Sequence, residues 1–218
     1  MKGLKRVAGL WLPLWEQRLV PLLESGSAEA RARRRLSRIL SLRRSTRRAI
    51  EVGGHVGLWS RQLARWFESV VSFEPIECHR TCFGLNVLSP RVALFPFALG
   101  AERKTVAMTT GVDSTAESRV AGAGSLPMHR LDEIGMSARP VDLLSLDCEG
   151  YEYFVLRGAE RLLRTHKPLI VIERKPKGAA RYGVRGRDTL DYLTGLGASL
   201  REEIETDVIL DWGGDEGR

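Results

Sequence analysis

From residue 49 onward, short apolar runs alternate with segments in which apolar residues recur every three or four positions. That alternation is the pattern of a mainly parallel sheet covered by helices. It predicts strands over Ala49–Val52, Val70–Phe73, Val92–Phe97, Val141–Leu146 and Leu169–Ile172. Helices are predicted over Leu58–Phe67, Glu77–Val87, Tyr151–Leu163 and Asp188–Leu196. Two more strands, Ser199–Glu202 and Asp207–Trp212, are joined by a short polar connection and read as a terminal antiparallel hairpin. Between Gly100 and Met128 the pattern is weak. Thr105–Met108 can form a strand there, and the Gly-, Ser- and Thr-rich run Gly111–Leu126 reads as a mobile loop.

The first 48 residues have a different texture. RARRRLSRILSLRRSTRR, Arg31–Arg48, puts Leu36, Ile39, Leu40 and Arg43 at helical spacing, which predicts a basic helix with a narrow apolar stripe. Gly26 and Ser27 separate it from an earlier short helix holding Trp11, Trp15 and Leu19. The chain thus reads as a basic helical arm, 1–48, followed by an α/β domain, 49–218.

Composition sharpens this division. A chain of 218 residues, 43% hydrophobic, can bury one sizeable core. The formal charge is +7, but residues 1–50 hold 13 Lys and Arg against 3 Glu, so the rest is net acidic. The arm can cap the domain as a solvated helix, or contact nucleic acid or an anionic membrane; the first reading is favoured. Val7–Trp15, after Lys2, Lys5 and Arg6, has the outline of a signal peptide, but Pro13 interrupts it and no small-residue cleavage pattern follows. Cys78, Cys82 and Cys148 form no CxxC and have no histidines at metal-ligand spacing. Neither a disulfide framework nor a metal site is expected, and a cytoplasmic location fits best.

The chemistry concentrates at the predicted strand ends. Glu51, Val52, Gly53, Gly54, His55, Val56 and Gly57 join the first strand to the first helix, at the edge where α/β folds bind nucleotides. The spacing is not the dinucleotide GxGxxG, and a structural tight turn explains it as well. Glu74, in SFEP, ends the second strand, where a carboxylate can accept hydrogen bonds from both ribose hydroxyls of a nucleoside. Acids around a glycine turn disfavour a pyrophosphate and suit a cationic ligand, though Glu51 can equally be a hydrogen-bonded structural acid. The fourth strand ends in LDCEGYE, placing Asp147 and Glu149 at the same edge, and Glu173 ends the fifth. Such carboxylates can orient an acceptor hydroxyl, act as general base or hold an amino group; Glu149 or Glu152 can also simply cap the next helix.

Together these pieces resemble the FkbM family of S-adenosylmethionine-dependent methyltransferases, over roughly Ala49–Glu173 and more loosely to Trp212. The matching elements are IEVGGHVGLWS, VVSFEP, the ALG of Ala98–Gly100, the RLDEI of Arg130–Ile134, VDLLSLDCEGYEYFVLRGAE and KPLIVIE. The resemblance implies a Rossmann-like, seven-stranded methyltransferase fold. It implies a donor site drawn from Glu51, Gly53, Gly54, His55, Gly57, Glu74, Pro75, Ala98 and Asp147, with Glu74 on the ribose and Asp147 near the transferred methyl. Two departures stand out. His55 replaces the asparagine common in the glycine turn, and Arg174 and Lys175 stand where a histidine often follows the strand-five glutamate.

The expected activity is therefore methyl transfer from S-adenosylmethionine to a small hydroxylated acceptor such as a sugar, with Asp147 and Glu149 as the candidate catalytic residues. The basic stretch RKPKGAARYGVRGR, Arg174–Arg187, reads as a loop beside the acceptor. It is either simply solvated or the mark of an anionic acceptor. Two rivals remain: a nucleic-acid methyltransferase using the basic arm, and a donor-binding interaction protein without catalysis. Because every donor motif follows Ala49, residues 1–30 are expected to be dispensable for donor binding.

Overall fold

Consecutive side chains of a strand point to opposite faces, and here those faces belong to two different cores. A computed structural model describes residues 3–42, 45–111, 114 and 117–213. The chain opens with strands β1 (Leu4–Val7) and β2 (Leu10–Pro13), then helices α1 (Leu19–Glu24) and α2 (Ser27–Leu42). Next come β3 (Arg48–Val52), α3 (Leu58–Leu63), β4 (Ser69–Phe73), α4 (Glu77–Asn86) and β5 (Val92–Phe95). Short strands β6 (Ala98–Leu99), β7 (Lys104–Val106), β8 (Met108–Thr109), β9 (Arg119–Val120) and β10 (Leu126–His129) follow. The chain continues through β11 (Leu143–Leu146), α5 (Glu152–Arg157), α6 (Glu160–His166), β12 (Leu169–Glu173), α7 (Pro176–Ala180), α8 (Asp188–Gly195), β13 (Ser199–Ile204) and β14 (Asp207–Asp211).

Seven strands form the main sheet in the order β13-β14-β12-β11-β3-β4-β5. The five from β12 to β5 are parallel, while β14 runs antiparallel between β12 and β13. The placement of the last two strands follows from their composition. Val208, Ile209 and Leu210 of β14 are at most 1% exposed, so this strand needs cover on both faces and sits inside the sheet. Charged β13, SLREEI, takes the edge, with a bulge near Arg201.

Ile50, Val52, Leu144, Leu146, Ile170 and Ile172 face one layer, where Val155 and Leu156 of α5, Leu162 and Leu163 of α6 and Leu193 of α8 pack. Ala49, Val70, Leu143, Leu169, Val171 and Ile209 face the other, which is covered by Leu63, Ala64 and Phe67 and by Leu36 and Ile39 of α2. The apolar stripe of α2 is thus part of this second core.

Several expected boundaries move, each for a local reason. No single helix holds Trp11, Trp15 and Leu19: Trp11 lies on β2 of a hairpin turned at Ala8–Gly9, where both residues take positive φ, and only Leu19 is helical. The strand expected to reach Phe97 stops at Phe95, because Pro96 has no N–H for the ladder; Ala98 and Leu99 then pair with β10 in a second, three-stranded sheet. The single helix expected over Tyr151–Leu163 is two helices. Gly158 lies against the Gly100 carbonyl so closely that a Cβ would stand 2.0 Å from the oxygen, and the chain turns there before α6.

The run Gly111–Leu126 carries more structure than its composition suggests. Strand β9 pairs with β8, and Ala121 donates its N–H to the Ala107 carbonyl at 2.8 Å. Val112, Asp113, Thr115 and Ala116 of that run lie outside the described residues, as does Arg43 of the arm. No helix among the described residues is long and apolar enough to cross a membrane.

Candidate functional site

Strand order reverses between β3 and β11, with β4 and β5 added on one side and β11 and β12 on the other. Such a reversal leaves a crevice beyond the carboxyl ends of the strands, which is where open α/β sheets bind ligands. A cleft of about 700 Å³, partly open to solvent, lies there. Of the residues singled out in the sequence, Gly53, His55, Glu74, Pro75, Ala98, Asp147 and Glu149 line it. Glu51, Gly54 and Gly57 stand behind the lining.

Glu51 is displaced by strand geometry: it shares the parity of Ala49, so its side chain enters the layer under α3 rather than the cleft. The hydroxyls of Ser60 and Ser72 both donate to its Oε2, the latter at 2.8 Å. Burial nevertheless pushes its pKa up to about 7. Gly54 and Gly57 let the turn rest on neighbouring side chains. A Cβ would lie 2.3 Å from Ser72 Oγ at the first and 2.4 Å from Val87 Cγ2 at the second. Gly53, with φ +95°, brings the turn against the end of β11, where a Cβ would stand 1.9 Å from the Asp147 carbonyl oxygen.

Around this turn the wall of the cleft is tied together through Glu74. Its Oε2 accepts the backbone N–H of His55 and its Oε1 that of Ile76, both at 2.9 Å. His79 of α4 brings Nδ1 to 3.3 Å from Oε1. Burial opposes charge on Glu74, but His79 and the Ile76 amide outweigh it and its pKa lies below the ordinary value. His55, whose φ is 47°, is pushed down to about 4 chiefly by burial, so its ring is neutral at pH 7.

The opposite wall is acidic. Glu149 and Gly150 both take positive φ, and Gly150 packs so tightly on α7 that a Cβ would lie 2.2 Å from the Gly178 carbonyl carbon. Glu152 holds this bend by accepting the backbone N–H of Cys148 at 2.9 Å and of Gly150 at 3.2 Å, which leaves Glu149 for other partners. Lys175 supplies one. Its Nζ donates to Asp147 Oδ1 at 2.9 Å and to Glu149 Oε1, and lies 4.0 Å from Glu173 Oε1. Burial works against the charge on Asp147, yet the Lys175 ammonium and a hydrogen bond with Glu173 keep its pKa below the usual range. Glu173 is pushed up to about 7 by burial and by the charge of Asp147, so of the two it takes a proton more readily. Lys175 itself is raised despite burial, by Asp147 and Glu173 foremost.

Three features were not named from the sequence. Met108, from the stretch read as a strand, and Ser118 and Val120, from the stretch read as a loop, wall the cleft. His79 lines it from α4. Asn86 accepts the Trp11 N–H at 2.7 Å and donates to the carbonyls of Trp11 and Val56, joining the N-terminal hairpin to the glycine turn. Arg174–Arg187 also differs from expectation. It contains the short helix α7, with Pro176 in the first turn, where a missing N–H costs nothing, and Gly178 accommodating the bend at Glu149–Gly150. Lys177 and Arg181 of this stretch join Arg119 around a recess beside Glu149.

The chain matches the methyltransferase FkbM domain family over residues 51–200. No curated protein matches it. Among solved structures it is similar to magnesium protoporphyrin IX methyltransferase from Synechocystis PCC 6803, crystallised with bound SAM. That likeness has a TM-score of 0.54 at 12% identity, over 90% of this chain and 85% of that one. A methyltransferase FkbM from Methylobacillus flagellatus KT aligns with 16% identity and a TM-score of 0.48, over 78% of this chain; the match spans 44% of that longer protein. With the family match covering more than half of its length, the chain belongs to the methyltransferase FkbM domain family.

Proposed function

We propose that this protein transfers a methyl group from S-adenosylmethionine to a hydroxyl of a small anionic acceptor such as an acidic or phosphorylated sugar. The single observation that carries this reading is the charged Glu74 in the wall of a cleft at the strand-order reversal, facing a glycine turn and a second set of acids. The residues suit a cationic nucleoside. Glu74 presents a carboxylate, and beside it both ring nitrogens of His79 are buried without a hydrogen-bond partner. Gly53, His55, Glu74, Pro75 and Ala98 would hold the donor, with Asp147 at its methyl end.

S-adenosylmethionine supplies a methyl group already activated on a sulfonium. The chain's own tasks are then to hold two reactants in line, exclude water and remove one proton. Asp147 is the charged member of the acid group and the residue for receiving the proton from the acceptor hydroxyl. Glu149, two residues on, orients that hydroxyl. Lys175 stays a cation and so keeps Asp147 ionised instead of acting as a base. Arg119, Lys177 and Arg181 lie beside Glu149, and basic groups at a pocket mouth favour an acceptor of opposite charge.

The arm argues against a nucleic-acid substrate. Arg31, Arg35 and Arg38 of α2 pair with Glu205, Asp207 and Glu202, so this face is spent on the protein itself. Three free cysteines accord with a reducing, cytoplasmic setting.

Titration calorimetry with S-adenosylhomocysteine, followed by incubation with labelled donor in a cell extract, tests the proposal. Binding together with label on a small anionic molecule supports it. Absence of binding overturns the donor assignment, whereas label on nucleic acid, or none despite binding, overturns the acceptor assignment.

A further inference from the structure

His79 is a buried histidine beside Glu74 that takes no step in the methyl transfer itself. It is 1% exposed, it borders the cleft, and neither Nδ1 nor Nε2 has a hydrogen-bond partner. Unpaired polar atoms in an interior are costly, so a histidine is a poor filler for this position on α4. What it approaches is specific. Nδ1 stands 3.3 Å from Glu74 Oε1, and the ring meets that of His55 edge-on with centroids 4.8 Å apart.

Glu74 has two aligned donors, the N–H groups of His55 and Ile76, one on each oxygen. Both come from turns that flank the cleft, and neither prevents the carboxylate from rocking about the line joining them. His79 approaches Oε1 from a third element, the ten-residue helix α4. We propose that His79 is a positioning residue for the donor's ribose, fixing through Nδ1 the rotation of the Glu74 carboxylate so that the lone pair left on Oε2 faces the ribose diol. The inference rests on the reading of this cleft as the donor site. It requires the misaligned Nδ1 contact to become a full hydrogen bond when the diol is in place, a common tightening on ligand binding.

The test compares S-adenosylhomocysteine with its 2′-deoxy and 3′-deoxy analogues by titration calorimetry, on the wild type and on His79→Leu, His79→Asn and His79→Gln. The wild type should prefer the intact ribose by tenfold or more, about one lost hydrogen bond to a charged group. His79→Leu should bind S-adenosylhomocysteine about tenfold more weakly yet lose little further with the deoxy analogues, so that the preference shrinks. His79→Asn, whose amide nitrogen takes the place of Nδ1, should restore the preference. His79→Gln, with its amide at the Nε2 position, should not, and it carries the same expectation if the leucine variant fails to fold.

A leucine or glutamine variant that weakens all three ligands equally, or that keeps the wild-type preference, overturns the proposal while leaving the donor site intact. So does a wild type that binds all three alike. A wild type that binds none of them removes the donor reading itself, and this inference with it.

Discussion

The backbone N–H of His55 donates to Glu74 Oε2 at 2.9 Å, so the glycine turn after β3 is tied to the acid that ends β4. One carboxylate therefore does two things: it faces the cleft, and it holds a non-glycine residue at φ 47° within the turn. Left-handed backbone is costly for a side chain without such support.

From this follows the first prediction. Glu74→Ala should weaken binding of S-adenosylhomocysteine by about 2 to 3 kcal/mol, the loss expected for a charged hydrogen-bonding group. Glu74→Gln, which keeps one acceptor oxygen, should fall between. Calorimetry on folded variants checks this, and an unchanged affinity would refute the role of Glu74.

The second concerns pH and Glu51. Its pKa is raised from 4.5 to about 7 in the folded protein by burial, so the folded state holds a proton that the unfolded state has released. The associated stability is fully present below about pH 4.5 and is lost as pH rises through 7, a change on the order of 3 kcal/mol. Glu173, also pushed up to about 7, contributes in the same window. Urea unfolding at intervals from pH 5 to 8 should show falling stability, opposed below about pH 6.5 by His55, whose lowered pKa favours the folded state as pH rises, and Glu51→Gln should make the fall shallower.

The third concerns the N-terminal hairpin. Leu10, Leu12 and Leu23 pack in one cluster with Val56 of the glycine turn and Cys82 of α4, and Asn86 pins Trp11 to the same turn. Removing residues 1–30 should therefore weaken donor binding, contrary to the expectation from motif positions alone. It should also make Cys82, fully buried here, react with a thiol reagent. Asn86→Ala should cost about 2 kcal/mol by stranding backbone groups of Trp11 and Val56. Labelling that is unchanged after truncation would show the hairpin to be a mere appendage.

The fourth concerns the acceptor. Lys177→Glu and Arg181→Glu should each raise the KM of the identified acceptor by about tenfold while leaving donor affinity within a factor of two, and added salt should mimic them. Steady-state kinetics with a neutral preferred acceptor, or with wild-type constants in both variants, would refute this.

How much of this was legible beforehand depends on the range of the forces involved. The parallel strands were readable because burial on both faces writes continuous apolar runs, as in LIVIE at β12. Glu74 and Asp147 were readable because strand ends set the edge at which ligands meet the sheet. The side to which Glu51 points was readable in principle, since it shares the parity of Ala49, but knowing which face holds the cleft required the packed molecule. Asn86 and Lys175 owe their positions to partners 75 and 28 positions away, and no local pattern records such pairings, while His79 lies only five positions from Glu74 but turns toward the cleft on a face of α4 that packing decides. The break at Gly158 likewise answers to Gly100.

Helix α2 carries Arg31, Arg34, Arg35 and Arg38 on one face, at the spacing that aligns side chains along a helix. Glu205 meets the first two, Asp207 the third and Glu202 the fourth, all from the β13–β14 hairpin and its turn. The two ends of the chain are thereby written as a lock and its key. A substitution on one calls for an answering change on the other. Grafting either alone onto a related protein would set like charges facing an unprepared surface, so that the segments travel as a pair or not at all.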